Sequence, residues 1–189
     1  MKKENKFIRW FKKFGVVAMA AIAIVVIALV VTFNVEPVVD EKPTEPVSTD
    51  VVEFGLPMQD AVVVKDYAND HLQFNESLNR WEIHLAVDLA SENQNVLSVC
   101  DGHVTKIDFN SLDGYTIEVG HADGFTSVYG SLDSTINLQV GDAVKKGQTI
   151  GAISTTATNE SAEGSHLHFV LLRNGTEVDP NNYLDLQNK

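Results

Sequence analysis

The sequence predicts an all-β body of antiparallel sheets, arranged as a sandwich or partly open barrel and preceded by one N-terminal helix. Three observations predict it. Short apolar segments recur between turn signals after residue 54. Three Asx-Gly pairs, Asp113-Gly114, Asp123-Gly124 and Asn174-Gly175, supply the positive φ that tight hairpins need. Finally, Gly15 to Phe33 runs 19 residues without a charge.

That uncharged run is long enough to form a membrane helix, since at ~1.5 Å rise per residue it spans about 28 Å of a ~30 Å hydrocarbon core. Residues 1–13 hold Lys2, Lys3, Lys6, Arg9, Lys12 and Lys13 against the single acid Glu4, a net +5. This basic cluster, with Trp10 beside it, predicts a cytoplasmic tail over 1–14 and an extracytoplasmic body. A cleaved signal peptide has an apolar region of only ~7–15 residues and a small-x-small site after it. Here the run is longer and no such pair follows Phe33. An uncleaved anchor over 15–33 is therefore the expectation.

Residues 34–53 contain Pro37, Pro43 and Pro46 among Glu36, Asp40, Glu41, Glu45 and Asp50. Such a stretch cannot bury a core and reads as an acidic tether. The body then occupies 54–189. The chain carries −12 overall, so the 176 residues after the basic cluster carry −17. That excludes phosphate-backbone binding by clustered Lys and Arg, and it sets the body against anionic membranes and wall polymers. Cys100 is the sole cysteine, which excludes an intrachain disulfide and reads as a buried structural thiol.

Strands are expected at Ala61–Val64, Val96–Cys100, His103–Phe109, Tyr115–Val119, Phe125–Tyr129, Thr149–Ile153 and His166–Arg173. A helix is hardest to exclude over Asp70–Arg80. From Trp81 to Ala90 apolar and polar residues alternate, placing His84 and Asp88 on one polar face. A straight strand would hold them ~13 Å apart, so either the chain bends near Ala86 or the two do not form a joint site.

His166-Leu167-His168 lies at the start of a strand-like run. Residues i and i+2 share a face ~6.6 Å apart, so both imidazoles reach one small volume. His71, His103 and His121 lack a partner at ligand spacing and read as surface or hydrogen-bonded residues. His84, Asp88 and one C-terminal histidine describe a three-ligand Zn²⁺ site, the other histidine acting on water or oxyanion. The competing reading is an alternating strand with a polar face.

The motifs His84-x-x-x-Asp88 and Gly164-Ser165-His166-Leu167-His168-Phe169 resemble those of the LytM/lysostaphin-type zinc metallopeptidases. Cys100-Asp101-Gly102-His103-Val104, Val140-Gly141-Asp142 and Asn174-Gly175-Thr176 match in the expected order between and after them. The resemblance implies a twisted antiparallel β fold with zinc in a groove, and cleavage of peptidoglycan peptides. It implies His84, Asp88 and His168 as zinc ligands and His166 as a catalytic histidine. Active members carry a second histidine in Tyr-x-His-Leu, where this chain has Tyr129-Gly130-Ser131-Leu132. Serine has no group titrating near neutral pH, and general acid–base catalysis contributes ~10²–10⁴-fold. Ser131 is thus a degenerate catalytic position, implying weak or absent hydrolysis; the alternative is an active zinc endopeptidase.

Anchor, acidic tether and Ser131 together are similar to the stage II sporulation protein Q type within this family. That likeness implies the forespore membrane as location. It also implies an exported partner of the stage III sporulation AH type, reached across an intermembrane space.

Overall fold

The structure, a computed structural model, describes Trp10, Lys13 and residues 52–186. The membrane helix expected over 15–33 lies outside the described residues, as does the tether over 34–53 except for Val52 and Glu53. Among the described residues no helix is long and apolar enough to cross a membrane.

The body is built from twelve strands in chain order. They are β1 (Val62–Lys65), β2 (Ala68–Asn75), β3 (Arg80–His84), β4 (Val87–Ala90), β5 (Asn95–Leu97) and β6 (Gly102–Asn110), then β7 (Gly114–Gly120), β8 (Phe125–Leu132), β9 (Ala143–Val144), β10 (Thr149–Ala152), β11 (Leu167–Arg173) and β12 (Thr176–Val178). Eight form one sheet in the order β1-β4-β11-β8-β7-β6-β9, with β12 also paired to β11. Two antiparallel ribbons, β5–β10 and β2–β3, complete the fold. Every pairing in the large sheet is antiparallel. The anticipated sandwich or partly open barrel is therefore one large sheet with small ribbons, since no second sheet of comparable size forms among the described residues.

Period-two alternation explains β11, where Leu167, Phe169 and Leu171 are fully buried between more exposed neighbours. They join Val87 and Leu89 of β4, Ile117 and Val119 of β7 and Tyr129 of β8 in one core cluster. Val96 of β5 and Ile150 of β10 belong to the same cluster, so the ribbon shares the sheet's core. Each such side chain contributes about 1.5–3 kcal/mol by leaving water. The chain enters this core early: Val52 and Phe54 already pack against it. The Asx-Gly turns form where expected, with φ of 51° and 79° at Asn174 and Gly175 between β11 and β12.

Three local expectations need correction. Asp70–Arg80 is not helix: β2 turns into β3 through Asn79, whose φ is 51°. The apolar face expected along Trp81–Leu89 is divided between two sheets. Trp81 and Ile83 are 65% and 50% exposed on the ribbon, whereas Val87 and Leu89 are buried in the large sheet. Cys100 is half-buried at the edge of the core rather than enclosed by it.

Candidate metal centre

The division of the Trp81–Ala90 run creates the site. β3 ends at His84 and β4 begins at Val87, so Leu85 and Ala86 form a bend between two differently paired strands. The bend brings His84 Nε2 within 3.2 Å of Asp88 Oδ2. Register supplies the third group, because β11 pairs with β4 so that His168 faces Asp88 across the strands. His168 Nδ1 lies 2.8 Å from Asp88 Oδ1. The residues expected to form the site therefore meet.

His84 Nδ1 donates to the Asp66 carbonyl at 3.0 Å, which turns Nε2 into the cluster. A backbone acceptor on one ring nitrogen is the usual support for a metal-binding imidazole. His166 is held in the same way, with Nδ1 2.9 Å from the Gly164 carbonyl and Nε2 facing inward. It precedes β11 and is bridged to Ser154 rather than belonging to the strand.

Glu160 was not foreseen. Its side chain is almost completely buried and reaches all three histidines. Oε1 lies 3.4 Å from His84 Nε2, and Oε2 lies 2.9 Å from His168 Nδ1 and 3.5 Å from His166 Nε2. Glu163 and Lys65 complete the surroundings, the ammonium lying 3.4 Å from Glu160 and 3.2 Å from Glu163. Ligand atoms of His84, Asp88, Glu160 and His168 all fall within 4.8 Å of one another, and so do those of Asp88, Glu163 and His166. No periodicity could have revealed Glu160, because it sits in an irregular loop before a short 3₁₀ turn over Ser161–Glu163.

The electrostatics follow from crowding acids and imidazoles away from water. Burial disfavours the imidazolium of His84, but the carboxylates of Asp88 and Glu160 beside Nε2 outweigh it and raise the pKa to about 9. The same opposition at His168 ends at about 10. His166 is also raised, Glu160 outweighing burial. Burial would raise Asp88 and Glu160, but the histidines hold both below the ordinary carboxylate range. Glu163 is pushed up to about 7 by burial and then by Asp88.

The cluster is nevertheless incomplete. His84 Nε2, Asp88 Oδ2, Glu160 Oε2 and His166 Nε2 are buried without a hydrogen-bond partner. Orphans of this kind are costly and uncommon. A divalent cation would satisfy those of His84, Asp88 and Glu160, and two imidazoles with a carboxylate are the N/O donors zinc takes. The residues present therefore fit zinc.

Ser131 is fully buried at φ 58°. Its hydroxyl donates to the Ser154 carbonyl at 3.1 Å, and the same carbonyl accepts from the His166 N–H at 3.4 Å. The serine thus stands next to His166 through one shared acceptor. The remaining histidines take no part in the cluster. His71 is exposed beside Asp70, His103 is exposed on β6, and both ring nitrogens of His121 are engaged by the Asp101 carbonyl and Ser127 Oγ. His121 therefore does not stand in for the imidazole missing at Ser131. A cleft of about 430 Å³ opens over the site, lined by His84, Glu160 and His168 together with Arg80, Ile83 and Leu112.

Comparison with known proteins identifies the family. The model for peptidase family M23 matches residues 82–180. Stage II sporulation protein Q of Bacillus subtilis is 34% identical over 110 residues, which is 57% of this chain and 38% of that protein. The peptidoglycan DD-endopeptidase ShyC of Vibrio cholerae is 32% identical over 80 residues, 42% of this chain and 18% of that protein. The chain therefore spans less than two-fifths of the curated relatives it matches. A chain in the SpoIIQ–SpoIIIAH pore-forming complex superposes with a TM-score of 0.60 at 28% identity, covering 71% of this chain and 92% of that one.

Proposed function

Because the chain belongs to peptidase family M23, a zinc-dependent family, we propose that it is a membrane-anchored, zinc-bearing member that works by binding an exported partner and hydrolyses peptidoglycan weakly or not at all. The observation that carries this reading is Ser131. Beside His166 the protein has a buried hydroxyl committed to the Ser154 carbonyl rather than an imidazole. A bound zinc lowers the pKa of its water and polarises a carbonyl, but proton transfer then rests on His166 alone. His84, Asp88 and His168 would hold the metal.

Similarity to stage II sporulation protein Q and to the SpoIIQ–SpoIIIAH complex supports a partner of the SpoIIIAH type. It equally supports a sporulation role at the forespore membrane; the basic cluster and the uncharged run after it support a cytoplasmic tail over 1–14, an anchor over 15–33 and a tether over 34–53 ahead of the domain at 54–189. The −17 carried by the residues after the basic cluster favours a protein partner over an anionic wall polymer. Likeness to ShyC favours the second reading, an active endopeptidase on peptidoglycan cross-links.

The deciding experiment incubates the full chain with purified peptidoglycan and, separately, with the exported domain of a SpoIIIAH-type protein. Stable binding to that domain without peptide release is expected. Robust peptide release that a chelator stops and His166→Ala abolishes would establish the endopeptidase instead.

A further inference from the structure

We infer that Glu160 is a fourth protein ligand of the zinc site, closing on the cleft side the position that a zinc hydrolase keeps open for water. The inference rests on the zinc-binding reading above and deepens it, since it turns a catalytic type of site into a closed, structural one.

Position is the first argument. Structural zinc sites are four-coordinate with protein ligands, whereas catalytic sites have three and a water. Glu160 brings a carboxylate within 4.8 Å of donor atoms on His84, Asp88 and His168. Of the two carboxylates in that set, Glu160 lines the cleft and Asp88 does not. A ligand approaching from the cleft would therefore meet Glu160 where water would otherwise bind.

Hydrogen bonding is the second argument. His168 Nδ1 lies 2.8 Å from Asp88 Oδ1 and 2.9 Å from Glu160 Oε2. One N–H cannot align with both, and Glu160 Oε2 has no hydrogen-bond partner. His84 Nε2 likewise faces Asp88 Oδ2 at 3.2 Å and Glu160 Oε1 at 3.4 Å while hydrogen-bonding to neither. Ligand atoms of two imidazoles and two carboxylates thus lie within 4.8 Å of one another with hydrogen bonding incomplete among them, and one cation can draw on all four.

Rigidity is the third. The Asn159 N–H donates to the Leu112 carbonyl, and the Asn159 carbonyl accepts from buried Asn75 at 3.0 Å. The Ala162 N–H donates to Ser77 Oγ at 2.8 Å. The loop is thus tied to the β2–β3 turn on either side of Glu160. Lys65, 3.4 Å away, partly compensates the charge of the carboxylate.

The test loads the full-length chain, and its Glu160→Gln and Glu160→Ala variants, with cobalt in place of zinc and records the visible spectrum with and without azide. A closed site gives a wild-type spectrum that azide leaves unchanged and that does not titrate between about pH 6 and 9, where metal-bound water ionises. Both variants should gain an azide response. They should also bind zinc more weakly, by competition with a chromophoric chelator, by at least the ~10–100-fold seen for outer-shell partners. Glu160→Gln keeps the side-chain volume and carries the comparison if the alanine variant does not fold. A wild type that binds one cobalt yet responds to azide as the variants do overturns the inference while leaving the zinc site intact. A wild type that binds no cobalt overturns both, and metal analysis separates the two failures.

Discussion

Two histidine-bearing networks share the large sheet. In one, the His121 ring nitrogens contact the Asp101 carbonyl and Ser127 Oγ, Ser127 Oγ lies 3.0 Å from the Tyr129 hydroxyl, and that hydroxyl oxygen accepts from the Val99 N–H at 2.9 Å. Each group has a partner. Burial keeps the His121 pKa below its ordinary value and pushes Tyr129 up to about 12, so the network stays neutral. In the other, His84, Asp88, Glu160 and His166 each leave a buried atom unpartnered, and His84 and His168 are held protonated to about 9 and 10. A satisfied network stabilises its surroundings without assistance, whereas an unsatisfied one needs a further species. The difference separates the structural His121 from the histidines of the cluster.

The comparison breaks most directly at the ligands. His84→Ala or His168→Ala should reduce bound zinc from about one per chain to none, measured by metal analysis. Equal zinc in wild type and variants would remove the distinction between the networks. Next in size is catalysis. Ser131→His alone should leave peptide release near the wild-type level, because Glu160 still closes the metal. Ser131→His combined with Glu160→Ala should raise it by up to ~10²–10⁴-fold. Histidine is among the residues that tolerate the positive φ at this position.

A third effect concerns pH. The raised pKa values of His84 and His168 mean that zinc must displace protons at neutral pH. Affinity should therefore rise with pH, by up to about two decades per unit below pH ~9, and level off above it. A flat profile from chelator competition would show the imidazoles neutral beforehand. The smallest effect sharpens the contrast from the other side. Ser127→Ala leaves His121 Nε2 without its partner and should cost about 1–3 kcal/mol in denaturant unfolding, with zinc content unchanged.

Legibility followed local pattern. β6, β7 and β11 were readable because alternation and Asx-Gly turns are properties of a few consecutive residues. β9 and β12 were missed, being two and three residues long. Strand β2 and the turn after it were the ambiguous helix, because the apolar residues Leu72 and Phe74 remain exposed and signal no buried face. In the site, His84, Asp88 and His168 were legible as candidates from spacing and motif, whereas Glu160, Glu163 and Lys65 were not.

By itself the sequence determined the all-β class, the turn positions and the donor types of a zinc site. It also determined the absence of an imidazole at position 131, since each of these is written in adjacent residues or in a residue's own chemistry. Only the tertiary structure decided that the ~13 Å of a straight strand between His84 and Asp88 becomes 3.2 Å. Strand pairing made that bend, assigning β3 to a ribbon and β4 to the large sheet. Only the tertiary structure placed Glu160 among three histidines, because an irregular loop carries no period and its side chains are positioned by hydrogen bonds to distant turns.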